Sequence, residues 1–65
     1  MKIEVNGDVL DLDARTLGEA LVVLGYGEAR VATALNGAFV PAAARPDTQL
    51  APGDRIEVLA PMQGG

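Results

Sequence analysis

Two Asn-Gly pairs, Asn6-Gly7 and Asn36-Gly37, each sit between short runs in which apolar and polar residues alternate. A two-residue hairpin turn of type I′ needs positive φ at both central positions, and asparagine and glycine tolerate it. Strict alternation is the signature of a half-buried strand. In the first run Ile3 and Val5 share one face while Lys2 and Glu4 share the other, and beyond the turn Leu10 and Leu12 alternate with Asp11 and Asp13. In the second, Val31, Thr33 and Leu35 lead into the turn, Phe39-Val40 return from it, and Pro41 ends the pairing because proline cannot donate to a ladder. Two hairpins commit a large part of a 65-residue chain. A domain of this size buries only about 60 % of the surface its unfolded form exposes, so it holds one core.

Between the hairpins, "TLGEALVVLGYG" has helical spacing. Leu17, Ala20, Leu21 and Leu24 fall at i, i+3, i+4 and i+7, one apolar stripe. Thr16 and Glu19 fit a capping box in which each side chain reaches the other's exposed backbone N–H. Gly25 is placed to stop the helix in the left-handed conformation, and Gly18 weakens its first turn by up to about 1 kcal/mol relative to alanine. After Pro41, "AAARPDTQ" shows no strong period and reads as an irregular connection. Pro52-Gly53 suits the centre of a type II turn, and Arg55, Ile56, Glu57 and Val58 alternate as a last strand running to Ala60.

The predicted order is hairpin, helix, strand, short strand, turn, strand. An α+β fold with one main helix crossing a mixed sheet of four to five strands is the β-grasp roll, in which the last strand lies parallel to the first, between its neighbours. A ferredoxin-like arrangement needs a second full helix, and the proline-bounded "PAAARPDT" is a poor one. The expected organisation is a β-grasp domain over residues 1–60 and a flexible C-terminal Gly-Gly tail over 61–65.

Composition narrows function by exclusion. The chain has no serine, cysteine or histidine, so nucleophilic triads, disulfides, cysteine-rich metal sites and the usual nitrogen ligands of metals are missing, and no Gly-rich loop has phosphate-cradling spacing. Asp8, Asp11 and Asp13 are read as a solvated hairpin face, not as an acid/base pair, because nothing nearby would raise a carboxylate pKa. The chain is expected to be no enzyme and to need neither metal nor organic cofactor. A net charge of -4 argues against nucleic acid or an anionic membrane as partner. No apolar run approaches the roughly 20 residues of a membrane span, and Lys2 and Glu4 interrupt any signal-peptide core, so a cytoplasmic location is expected.

What remains is the end, "PMQGG". Pro61 stops strand pairing, and from Ala60 onward an extended chain reaches on the order of 20 Å. Gly64 and Gly65 lack a Cβ and fit a cleft closed to other residues. At the tip sits an α-carboxylate, ionised at neutral pH because its pKa lies near 3.5. Such a group attacks the α-phosphate of ATP to give a mixed anhydride with AMP, which a sulfur donor displaces to leave a thiocarboxylate. Gly-Gly alone is also what a frayed terminus looks like. The conjunction with a β-grasp body and a strand-ending proline favours a glycine terminus that carries sulfur.

The hairpin start, "LNGAFVP", "LAPGDRIEVLAPMQGG" and the short length together resemble the sulfur carrier proteins of thiamine thiazole biosynthesis, a ubiquitin-like β-grasp family. The resemblance covers essentially the whole chain. Its most specific parts are Gly53-Asp54 and Met62-Gln63-Gly64-Gly65. It implies that Gly65 is adenylated by an E1-like adenylyltransferase which binds the ATP, is converted to a thiocarboxylate with sulfur from a donor protein, and delivers that sulfur to thiazole synthase. Met62, Gln63 and Gly64 would thread into partner sites. Leu59 and Met62 are apolar candidates for the docking surface. Two alternatives stand beside this. One is a related Gly-Gly carrier, such as the small subunit of molybdopterin synthase or carriers for cysteine synthesis or tRNA thiolation. The other is a non-covalent β-grasp interaction domain, in which the tail would be dispensable.

Overall fold

The computed structural model describes residues 1–27 and 30–60. In chain order it contains β1 (Lys2–Val5), β2 (Asp8–Asp11), α1 (Leu17–Val23), β3 (Ala32–Leu35), β4 (Ala38–Val40), a 3₁₀ helix (Ala42–Asp47) and β5 (Arg55–Leu59). Both Asn-Gly pairs form the predicted turns. Asn6 and Asn36 have φ of 50° and 51°, and Gly7 and Gly37 follow at 90° and 86°.

The sheet order is β2-β1-β5-β3-β4. β5 runs parallel to β1, with Val5 opposite Ile56, and antiparallel to β3, with Leu35 also opposite Ile56. The last strand is therefore the centre of the sheet, and the expected β-grasp topology is the observed one. Helix α1 buries Leu17, Ala20 and Leu21 into a core shared with Ile3, Val5, Val40, Ile56 and Val58 from the sheet. Ile3, Leu17 and Ile56 are fully enclosed, and each contributes roughly 1.5–3 kcal/mol of burial free energy before entropy is counted. Alternation in β5 is strict: Ile56 and Val58 face the core, while Arg55, Glu57 and Leu59 face outward.

Three local features differ from the sequence expectation. The Thr16 hydroxyl accepts from the Glu19 N–H at 3.1 Å as a cap should, but the Glu19 carboxylate accepts from the Arg15 N–H at 2.8 Å, one residue upstream of the partner expected.

The connection "AAARPDTQ", expected to be irregular, forms the 3₁₀ helix. Bonds from Ala44 N–H to Pro41 C=O at 2.9 Å and from Thr48 N–H to Arg45 C=O at 3.2 Å flank Pro46, which has no N–H to offer. Arg45 ties this segment to β3, donating from Nε to Thr33 Oγ1 at 2.9 Å and from Nη2 to the Val31 carbonyl. Last, β5 ends at Leu59, not at Ala60, because its antiparallel partner begins at Ala32, opposite Leu59.

Candidate functional site

The Pro52-Gly53 turn launches β5. Gly53 has a φ of 88°, and Asp54 N–H closes the turn on the Ala51 carbonyl at 3.1 Å. The Asp54 side chain then caps the turn from inside, accepting from Ala51 N–H at 2.8 Å and from Asn36 Nδ2 at 3.1 Å. From this anchored start the strand crosses the middle of the sheet and delivers the chain at Leu59 and Ala60.

Four of the residues assigned to the reactive end, Met62, Gln63, Gly64 and Gly65, lie outside the described residues. The fifth, Leu59, is on the outward face of β5 and is 70 % exposed. Register places it in a row with Ala32, and places Phe39, Ala34 and Glu57 in the next row of the same face. Phe39 is as exposed as Leu59. The sequence places Phe39 only on a short return strand; its parity relative to the buried Val40 is the sign that it points outward.

Beside Leu59 and Ala60 lies an open hollow of about 490 Å³ lined also by Val31, Ala42, Arg30 and Arg45. Arg45, in its wall, also holds Thr33 and Val31. Thr33 is buried, and its hydroxyl donates to the Val40 carbonyl at 2.8 Å. Among the described residues every buried side-chain polar atom has a hydrogen-bond partner, and no group of three or more His, Cys, Asp or Glu side chains is arranged around a common point that would suit a metal.

The hairpin carboxylates stay apart from this end. Asp11 is opposite Lys2 and Asp8 opposite Val5, so the two point to opposite faces of the sheet. Asp11 accepts a hydrogen bond from the N-terminal ammonium at 3.0 Å. That bond, with the charge of the ammonium and then of Lys2, holds its carboxyl below the ordinary carboxylate value. A lowered pKa suits a solvated ion pair, the opposite of what a general acid requires.

One feature of β5 had no sequence signal. The Asn6 side chain, 52 residues away in the chain, bonds both backbone groups of Val58, accepting from its N–H at 2.8 Å and donating to its carbonyl at 3.2 Å. No helix among the described residues is long and apolar enough to cross a membrane.

Comparison with known proteins gives a consistent set of likenesses. The sequence profile of the ThiS family matches residues 2–65. The sulfur carrier protein ThiS of Thermus thermophilus is 39 % identical over 61 residues, covering 94 % of this chain and 95 % of its own. The crystal structure of the thiamine biosynthesis protein ThiS from Geobacter metallireducens superposes with a TM-score of 0.81 at 35 % identity, over the whole of both chains. An NMR solution structure of a thiamine biosynthesis protein from the same organism gives a TM-score of 0.79 at 30 % identity, covering all of this chain and 88 % of that one.

Proposed function

The chain belongs to the ThiS family, and from that premise we propose that it carries sulfur for thiazole formation in thiamine biosynthesis on the carboxylate of Gly65. The observation that carries this reading is the extent of the family match, which runs through residue 65 and so takes in Met62-Gln63-Gly64-Gly65.

The chemistry balances without a redox step. A carboxylate oxygen of Gly65 attacks the α-phosphorus of ATP, the bond to the β-phosphate breaks, and pyrophosphate leaves. A donor supplying sulfur at the oxidation level of sulfide then attacks the acyl carbon. AMP departs with the former carboxylate oxygen, and the thiocarboxylate remains. Its sulfur is nucleophilic at neutral pH and is passed to thiazole synthase.

The chain is substrate and sulfur donor in this sequence, not the catalyst. An E1-like adenylyltransferase binds the ATP and supplies the electrostatic stabilisation that a pentacovalent phosphorus needs. A separate sulfur donor protein serves the second step. Gly64 lets the tail enter a narrow site, with Gln63 and Met62 in contact with the walls. Leu59, exposed at the root of the tail, joins Met62 as the apolar contact that seats the body on its partner. All of these encounters take place in the cytoplasm.

The test is the intact mass of the protein after incubation with ATP, a cognate adenylyltransferase and sulfide. The expected result is a gain equal to the difference between sulfur and oxygen, abolished when Gly65 is deleted. An unchanged mass with the full-length chain would instead favour a non-covalent interaction domain. Rescue of a thiamine auxotroph, but not of a molybdopterin auxotroph, separates the thiazole carrier from its Gly-Gly relatives.

A further inference from the structure

Backbone bonding between β1 and β5 advances two residues at a time: Glu4 N–H donates to Asp54 C=O and Asn6 N–H to Ile56 C=O, each at 3.0 Å. The next pair of groups on that edge of β5 belongs to Val58. By then β1 has ended and the chain has turned away through Asn6-Gly7. The side-chain amide of Asn6 takes over, accepting from Val58 N–H at 2.8 Å and donating to Val58 C=O at 3.2 Å. An amide that gives and takes in this way copies one peptide unit of a missing strand. On the opposite edge β3 pairs as far as Leu59. Both edges of β5 are thus held up to the root of the tail, and on the β1 side the last hold is a single side chain.

We propose that Asn6 is a positioning residue for activation of the C-terminal carboxylate, acting through Val58 to fix the direction in which the chain leaves β5. This rests on the carrier reading of Gly65. Gly65 is seven residues beyond Val58, so the point and heading at which the chain leaves β5 set the centre of the volume that the terminal carboxylate searches. Loosening the root lowers the effective concentration of the carboxylate at ATP bound in the partner. The body still docks by its own surface, so the loss falls on kcat and not on KM.

The experiment measures carrier-dependent ATP–pyrophosphate exchange by a cognate adenylyltransferase, well below the melting temperature, with residue-resolved amide exchange on the same proteins. Asn6→Gly keeps the positive φ of the turn and removes the amide. Asn36→Gly makes the same change in the other turn, whose side chain bonds the start of β5. Asn6→Gly is expected to speed exchange of the Val58 amide about tenfold or more and to lower kcat roughly three- to tenfold at constant KM. Asn36→Gly should leave kcat unchanged. Asn6→Asp, which keeps the acceptor for Val58 N–H, should fall between wild type and Asn6→Gly, and it carries the test if Asn6→Gly does not fold.

Wild-type kcat in a folded Asn6 variant whose Val58 amide has lost protection would overturn the positioning role while leaving the carrier reading intact. Equal loss of kcat in Asn36→Gly would overturn it too, by reducing Asn6 to general stability. No exchange even with the wild-type chain would remove the carrier reading, and the proposal with it.

Discussion

The two Asn-Gly turns are nearly identical in backbone, with φ values that agree within a few degrees at each position, yet their asparagine side chains hold opposite ends of the same strand. Asn36 grips the start of β5. Its Oδ1 accepts from Arg55 N–H at 2.9 Å and its Nδ2 donates to the Asp54 carboxylate. Asn6 grips the end, at Val58. The difference comes from topology: β3 is antiparallel to β5 and its turn lies at the strand's beginning, whereas β1 is parallel and its turn lies further along. One local motif has been put to two uses by strand direction alone. The central strand is fixed where it enters the sheet and where it hands the chain to the tail.

The largest expected effect removes what the two grips share. Ile56→Ala empties a fully buried site opposite both Val5 and Leu35 and should cost about 2–5 kcal/mol, enough in so small a domain to release both ends of β5 together. Chemical denaturation monitored by circular dichroism reads it. Retention of wild-type stability would mean that β5 is not the organising strand.

Next come the turn glycines. Gly7→Ala and Gly37→Ala meet no steric obstacle, but each places a Cβ on left-handed backbone, at about 1–2 kcal/mol. Similar melting shifts are expected for the two, because the turns are alike. Asn6→Gly and Asn36→Gly should each cost about 1 kcal/mol through lost hydrogen bonds. The global costs match, while the amide that loses protection is Val58 in one variant and Arg55 in the other. Loss of protection at the same amide in both would contradict separate grips on the two ends of β5.

Much of this architecture was legible because its causes are local. Positive φ at Asn-Gly, alternation along β1 and β5, the Thr16 cap and the apolar stripe of α1 each depend on residues close in sequence, and each appears where expected. The 3₁₀ helix was not legible because what secures it, Arg45 on Thr33 and Val31, crosses to another element. The same holds for Asn6 and Val58: a peptide-mimicking amide looks like an ordinary turn residue until the sheet brings the last strand alongside. The candidate site divides in the same way. The sequence singles out Gly65 and its neighbours, which lie outside the described residues; Leu59 is where alternation puts it, and the hold of Asn6 on Val58 emerges only from the fold.

The smallest expected effect concerns pH, at the outer hairpin edge. The N-terminal ammonium lowers the Asp11 pKa in the folded state from its ordinary 3.8. A depressed folded pKa gives stability that is present above the unfolded value and lost as pH falls through the folded one. Because Asp11 is fully solvated, the contribution is slight. Asp11→Asn, or acetylation of the N-terminus, should flatten the acid limb of the stability curve below the ordinary carboxylate range by lowering neutral stability slightly, and leave both β5 grips unaltered. A change in Val58 amide exchange would connect this edge to the strand end and contradict their independence.

The most direct measurement of the carrier chemistry follows an oxygen atom. Protein labelled with heavy oxygen in its C-terminal carboxylate is incubated with unlabelled ATP, a cognate adenylyltransferase and sulfide, and the released AMP is analysed by mass spectrometry. One heavy oxygen in the AMP phosphate, accompanied by one sulfur at Gly65, is the predicted result. Sulfur gained by the protein with unlabelled AMP, or AMP labelled equally from a chain lacking Gly65, would contradict it.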